Sequence, residues 1–310
     1  MPPEPPAPYR TRFAPSPTGE MHLGHARTHL VAWLRARAAG GRIVMRIDDL
    51  DPPRVRPGAA EAILRDHEWL GLDWDEGPVH QSSPERQAAY REALAQLDAE
   101  GRLYPCTCSR REWMEVASAP HDGGPPRYPG TCRAGPSHPE REAAARFRLE
   151  GRTPRFVDGL AGPAGDADEG DFVVRRADGL VAYQLAVVVD DRDQGITEVV
   201  RGDDLLSATG LQLALFAALR AAPPAFLHVP LVVGADGSRL AKRHGAPGIR
   251  ALREAGRTAE EVLGGLGASL GLLPGRHPAT LDELLARAAE LPAALPREPA
   301  HLPELASGLP

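Results

Sequence analysis

The sequence predicts an α/β fold built on a parallel sheet, interrupted by a loop-rich insertion and followed by a short helical extension. Two observations point there. A strand, a turn, a helix and a second strand follow one another within residues 9–47, and all three cysteines fall in one aperiodic stretch, 106–139. A strand, helix, strand unit crosses over right-handed and makes a parallel sheet, whose ligands sit beyond the carboxyl ends of its strands. The turn at residues 14–24 is therefore where a ligand is expected.

Each element has a local reason. Residues 9–13 read as a short strand, and Pro15, Pro17 and Gly19 turn the chain into a helix over 24–38 that Gly40 and Gly41 end. Residues 43–47 read as a buried strand. Pro57 then opens a helix with Ile63, Leu64, His67 and Leu70 on one face. Ser82 and Glu85 have capping-box spacing and introduce a helix to about residue 100 that carries Tyr90, Leu94 and Leu97. The segment 106–139, rich in Pro and Gly, breaks the pattern. Strand-like pieces return at 147–149, 156–157, 172–175 and 197–201, followed by an apolar helix over 208–219 and a core strand over 226–233. Beyond residue 245 the chain predicts short amphipathic helices, 260–270 and 281–289, before a Pro-rich end. The expected organisation is a Pro-rich tail (1–9), two halves of a nucleotide-binding domain (10–105 and 140–245) around an insertion (106–139), and a helical extension (246–310).

Composition narrows the class. A chain of 310 residues is long enough for one large domain or two modest ones, and 42% hydrophobic with 25% charged residues is ordinary for a globular protein. Aromatics are sparse at 5%, so burial must rest on Leu, Val and Ala. Thirty-six basic against 42 acidic residues leave −6, which excludes coating a polyanion by bulk charge; an RNA partner would have to meet a local patch. No run of about 18 apolar residues could span a bilayer, and the first nine residues lack a basic start followed by an apolar run, so no signal peptide is expected. An odd cysteine count fits a reducing, cytoplasmic setting. The basic residues are almost all Arg, and Lys242 is the only lysine.

Three groups of residues carry chemistry. Arg12, Phe13, Ala14, Pro15, Ser16, Pro17, Thr18 and Gly19 precede His22, Leu23, Gly24 and His25 at the mouth of the first helix. A helix N-terminus offers unpaired N–H groups and partial positive charge, so two imidazoles there can complete a polyphosphate pocket. Gly24 removes a side chain where a flat nucleobase could lie. The bland alternative is a capped helix with two solvated histidines. A second group, Ser238, Arg239, Leu240, Ala241, Lys242 and Arg243, lies in a Gly-rich loop that can close over a nucleotide and bring cations to its phosphates. The third, Cys106, Cys108 and Cys132, lacks one donor of a tetrahedral zinc site; by chemistry alone His121 or His138 could supply the fourth. Three reduced thiols are the alternative.

The run F-A-P-S-P-T-G-x-x-H-L-G-H resembles the signature of class I aminoacyl-tRNA synthetases in its glutamyl form. The similarity continues through Arg46-Ile47-Asp48-Asp49-Leu50-Asp51, residues 183–191, and Arg201-Gly202-Asp203-Asp204, and covers about residues 10–245. The resemblance implies a Rossmann-like class I synthetase catalytic domain in which His22, Gly24, His25 and Lys242 bind ATP with Mg²⁺. His22, His25 and Lys242 would stabilise the developing phosphate charge. It implies that Arg12, Phe13, Ala14, Pro15 and Ser16, with Arg201, surround the carboxylates of L-glutamate, and that Asp48 and Tyr183 meet its ammonium group. Ordinary salt bridging is the alternative for Arg201 beside Asp203 and Asp204.

Departures from the family pattern are Arg239 and Ala241 in the loop, and Asp48 where the family has Glu. The shorter side chain falls about 1.5 Å short, so the pocket must contract, use Asp49 or insert a water. Within the family, the short glutamyl-queuosine tRNA(Asp) synthetases resemble this chain in C-x-C followed by Tyr-x-x-x-Cys, which implies one structural Zn²⁺ on Cys106, Cys108, Tyr128 and Cys132. Only residues 243–310 follow Lys242, too few for the anticodon-binding region of a conventional glutamyl-tRNA synthetase. The expected activity is tRNA-independent formation of glutamyl-adenylate, then transfer of glutamate to the queuosine base in the anticodon loop of tRNA(Asp), by a monomer. The alternatives are a truncated synthetase charging an acceptor end, and a non-catalytic paralogue acting as a binding protein.

Overall fold

The computed structural model describes residues 8–109, 111–112, 127–234 and 248–302. Strand β1 (Arg10–Phe13) runs into helix α1 (Leu23–Ala38), which returns the chain to β2 (Arg42–Ile47). Helix α2 (Ala59–Leu70) leads to β3 (Glu76–His80), and β1, β2 and β3 pair in parallel in that order. Helix α3 (Pro84–Ala99) and strands β4 (Leu103–Cys106), β5 (Ala144–Phe147), β6 (Phe156–Asp158), β7 (Gly162–Ala164) and β8 (Phe172–Arg175) follow. Helix α4 (Tyr183–Asp193), β9 (Glu198–Gly202), α5 (Leu206–Ala218) and β10 (Ala225–Val229) complete the sheet region. The extension holds α6 (Ile249–Glu254), α7 (Ala259–Ser269) and α8 (Leu281–Leu285).

Strands β9 and β10 are also parallel, and the Thr197 amide donates to the Arg10 carbonyl at 2.8 Å, which sets β9 against β1. The parallel order is thus β3, β2, β1, β9, β10. The remaining strands are antiparallel: β4, β5 and β8 form one sheet, and β6 with β7 a hairpin. The sequence predicts strand-like pieces at 147–149, 156–157 and 172–175, but not β4, β7 or the antiparallel pairing. Cys106 pairs with Ala144, so the cysteine-bearing segment leaves and re-enters the fold at neighbouring points.

Sheet parity determines what faces where. Phe13, Ile43, Met45, Ile47 and Val200 enter the main core with α1, α7 and α8, whereas Val44, Val199 and Phe226 face the other way. Arg12, Arg46 and Arg201 share the parity of Val44 and Val199. Three guanidiniums therefore emerge near the carboxyl ends of three adjacent strands, on the side where α4 lies. Helix α1 is buried along most of its length, and no helix among the described residues is long and apolar enough to cross a membrane.

Several boundaries shift for identifiable reasons. Ser83, not Ser82, caps α3 by accepting from the Arg86 amide, because the Ser82 amide and hydroxyl are held by Asp49 at 2.7 Å each. Gly58 in the left-handed region, one residue past Pro57, caps α2. Strands β3 and β4 are interrupted by Gly77-Pro78 and by Pro105 (EGPVH and LYPC) and show little alternation, which hid them from a periodicity argument.

Candidate active site

The nucleotide side is built at the start of α1. His22 is the N-cap: its Nδ1 accepts from the amides of Gly24 at 3.1 Å and His25 at 3.3 Å. An imidazole that accepts through Nδ1 carries its proton on Nε2 when neutral, and directs it away from the helix. The rings of His22 and His25 stack with centroids 3.8 Å apart. A Cβ on Gly24 would lie 3.0 Å from the His22 ring, so the glycine first serves the cap, a reason distinct from room for a base. The segment that follows the Lys242 loop returns here: Gly248 bridges to His22, and the Ile249 amide donates to the Met21 carbonyl at 2.8 Å. Lys242, Arg239 and Ala241 themselves lie outside the described residues, as does His121.

Behind these rings the column continues. His29 Nδ1 and His67 Nε2 are 2.8 Å apart, and His67 Nδ1 is 2.8 Å from the Ile63 carbonyl. His67 must donate to that carbonyl, so its Nε2 accepts from His29. Burial pulls His29 well below the usual imidazole value and His67 down to about 4, which keeps both rings neutral. Phe13 tilts against both at 4.9 Å. Apolar periodicity placed His67 on a helix face but gave no sign of this pairing.

The amino-acid side is a charge network. Arg46, fully buried, binds Asp48 Oδ1 through Nε at 2.7 Å and Asp191 Oδ1 through Nη1 at 2.7 Å. Arg12 reaches the same Asp191 oxygen at 3.3 Å and the Val200 carbonyl at 3.1 Å. Burial pushes the Asp48 carboxyl up to about 6 against the pull of Arg46. The turn between β1 and α1 is fastened to this network, since the Asp48 amide donates to the Pro15 carbonyl at 2.9 Å. Phe13 and Pro15 are buried, Ala14 half-buried and Ser16 exposed. Asp49 is not free to replace Asp48: its carboxylate is taken by Ser82 and by His80 Nδ1 at 3.0 Å.

Arg201 differs from the other two arginines. Its Nε donates to His228 Nε2 at 3.0 Å, Nη1 to Gln212 Oε1 at 2.8 Å and Nη2 to Thr209 Oγ1 at 2.8 Å. Each partner is neutral, and among the described residues no carboxylate lies within ion-pair distance. Burial pulls Arg201 below the usual guanidinium value, and Tyr183, 40% exposed at the first turn of α4, stands beside it and favours the charge. A buried cation without a counter-ion is costly and is relieved by an anion. The site thus assembles Arg12, Asp48, Tyr183 and Arg201, and adds Arg46 and Asp191, which the sequence argument did not single out although both fall inside the recognised motifs.

The cysteine cluster stands apart. The Sγ atoms of Cys106, Cys108 and Cys132 all lie within 4.8 Å of one another, and Tyr128 Oη is 3.4 Å from Cys106 and 3.6 Å from Cys108. Bonds of about 2.3 Å to a tetrahedral zinc separate sulfurs by roughly 3.8 Å, so the donors fit. Arg146 Nε donates to Cys106 at 3.1 Å and its guanidinium lies over the Tyr128 ring. Burial opposes ionisation of Cys132, yet hydrogen bonds from Ser137 and neighbouring amides hold it down to about 5. His138 is turned to Glu112 and Glu140, each at 3.6 Å, and not to the sulfurs; Ser137 Oγ, unforeseen, is 3.4 Å from Cys132.

Comparison with known proteins bears on these groups. Residues 8–284 match the family model for class I tRNA synthetases (E and Q), catalytic domain. A glutamyl-Q tRNA(Asp) synthetase of Symbiobacterium thermophilum is 49% identical, over 94% of this chain and 95% of the relative. One of Deinococcus radiodurans is 51% identical, over 84% and 88%. Among solved structures, a glutamate tRNA ligase from Elizabethkingia meningosepticum in complex with its amino acid superposes with a TM-score of 0.79 at 25% identity, covering 96% of this chain and 68% of the other.

Proposed function

The chain belongs to the class I tRNA synthetases for glutamate and glutamine, and within them groups with the glutamyl-Q tRNA(Asp) synthetases, and from that premise we propose how it works. It activates L-glutamate with MgATP in the absence of tRNA, then transfers the glutamyl group from the adenylate to the queuosine base in the anticodon loop of tRNA(Asp), with AMP as the leaving group. The observation that carries the amino-acid half is Arg201, a buried guanidinium near Arg12 that among the described residues is held only by neutral partners. The acceptor follows from relatives of that name that match along nearly their whole length.

In this mechanism the glutamate α-carboxylate attacks the α-phosphorus of ATP in line, the bond to the β-phosphate oxygen breaks, and pyrophosphate leaves with the electron pair. The protein positions and neutralises. His22 Nε2–H and His25 face the phosphates at the positive end of α1, and Lys242 brings a point charge to the leaving group. Ala14, Pro15 and Ser16 line the substrate, whereas the Phe13 side chain, expected there from the sequence, is turned into the core against His29 and His67 on the other face of the sheet. Arg12 and Arg201 take its carboxylates. A glutamine side chain would turn N–H groups toward those cations and is rejected. Asp48 and Tyr183 take the ammonium group, with Arg46 holding Asp48 within reach. Cys106, Cys108, Tyr128 and Cys132 would hold one structural Zn²⁺, which pins the insertion.

The test is to offer labelled glutamate, ATP and protein with tRNA(Asp) that carries queuosine and with the same tRNA lacking it. Label confined to the queuosine-containing RNA, at the base, is the expected result. Equal labelling of the two, or labelling at the 3′ end, would overturn the acceptor.

A further inference from the structure

Arg201 is oriented by a pair of residues that the proposed chemistry does not use. Asp158 on β6 and His228 on β10 are fully buried and meet at 2.6 Å between Oδ2 and Nδ1. Strand register places His228 directly opposite Arg201. The other carboxylate oxygen of Asp158 accepts the amides of Leu160 and Ala161 at 2.9 Å each, and Oδ2 also takes the His228 amide at 3.1 Å. Burial works against that charge, but His228 and these amides hold the carboxyl below its usual value.

A carboxylate facing Nδ1 puts the imidazole proton on Nδ1 and leaves the lone pair on Nε2. That lone pair is what receives the Arg201 Nε–H at 3.0 Å. Burial favours neutral His228, the only form that can accept there. With the opposite tautomer, or with a charged ring, two donors would face each other across the same 3.0 Å.

We propose that Asp158 and His228 are positioning residues for the amino-acid site: the carboxylate fixes the imidazole tautomer, and the imidazole holds the Nε edge of Arg201, which sets the guanidinium plane that meets the substrate carboxylate. This deepens the glutamate-activating function above and rests on it. No proton moves during the reaction; the pair sets geometry, so its loss should appear in glutamate binding and leave ATP binding alone.

Asp158→Asn tests this with little change of shape. With the amide oxygen kept on the Leu160 and Ala161 amides, the amide nitrogen takes the Oδ2 position and forces His228 to present Nε2–H to Arg201, while the His228 backbone amide loses its nearer acceptor. Loss of a hydrogen bond to a charged group predicts a glutamate KM raised about 10- to 100-fold in pyrophosphate exchange, with ATP KM within about twofold. Adding His228→Gln, whose side-chain oxygen accepts without a tautomer, should recover most of the loss. Nitrogen NMR of the His228 ring should show the proton on Nδ1 in the wild type and on Nε2 in D158N. An unchanged glutamate KM despite the reversed tautomer, or glutamate and ATP KM rising together without rescue, would overturn the proposal. Should D158N fail to fold, H228Q against His228→Leu decides: the glutamine variant should keep the wild-type glutamate KM and the leucine variant lose it, and equal values would refute the role. A wild-type protein without glutamate-dependent exchange would contradict the activity instead, while the ring NMR still reports on the pair.

Discussion

The arginine pocket and the cysteine cluster are incomplete in opposite senses. In the pocket, Arg201 is buried among neutral acceptors and has no carboxylate within ion-pair distance among the described residues, whereas Arg12 and Arg46 share Asp191. In the cluster, three sulfurs and a phenol oxygen crowd together beneath Arg146 at spacings that suit a shared cation. On the function proposed above, the first region would take an anion that comes and goes, the second a cation that stays. The contrast teaches that a site's ligand class can be inferred from which charge the fold leaves unbalanced.

The largest expected effect falls on the cluster. Structural zinc contributes on the order of 10 kcal/mol to small metal-nucleated folds, so Cys132→Ser or strong chelation should release about one zinc per chain and expose the insertion to proteolysis. Pyrophosphate exchange should fall far less, by no more than about tenfold, because the cluster lies outside the charge network. Equal loss of both would merge the two regions. Removing the unbalanced charge by Arg201→Ala should lower kcat/KM for glutamate by roughly 10²- to 10³-fold, with ATP KM little changed. Lys242→Ala should slow adenylate formation by about 10²-fold while glutamate KM stays within about threefold; an unchanged rate would remove the lysine from the mechanism.

The smallest effect is on pH. Asp48 is held up to about 6, so as pH falls through 6 it takes a proton and no longer balances the substrate ammonium. Glutamate KM should rise by up to about tenfold per unit below that point, and Asp48→Asn should flatten the profile. The stability sign is the reverse: the proton held by the folded chain stabilises it below the ordinary carboxylate value near 4, and that contribution is lost as pH rises through about 6.

Much of the frame was legible in the sequence because it rests on local signals. The β1, α1, β2 unit and the parallel sheet follow from turn residues and apolar runs, and α7 from an amphipathic pattern that Thr258 and Glu261 close with a true capping box. The antiparallel strands β4 and β7 were not legible, since LYPC and GPA alternate poorly and owe their strand state to partners far along the chain. In the site, His22, Asp48 and Arg201 were marked by their motifs. Arg46 sat beside Asp48 in the same motif, but its role as the shared partner of Asp48 and Asp191 depends on α4 packing beneath the sheet. The Asp158 and His228 pair joins residues 70 apart and has no spacing that could announce it. Asp49, by contrast, looked like a spare carboxylate until its bonds to Ser82 and His80 were visible.

On this mechanism an unbalanced cationic pocket selects a carboxylate side chain for activation by ATP. ATP–pyrophosphate exchange measured without RNA, with glutamate and with glutamine at equal concentration, tests it most directly. Exchange with glutamate that exceeds exchange with glutamine by about 100-fold or more is predicted, because the amide would leave buried groups wrongly paired. Equal rates for the two amino acids, or none with glutamate, would contradict it.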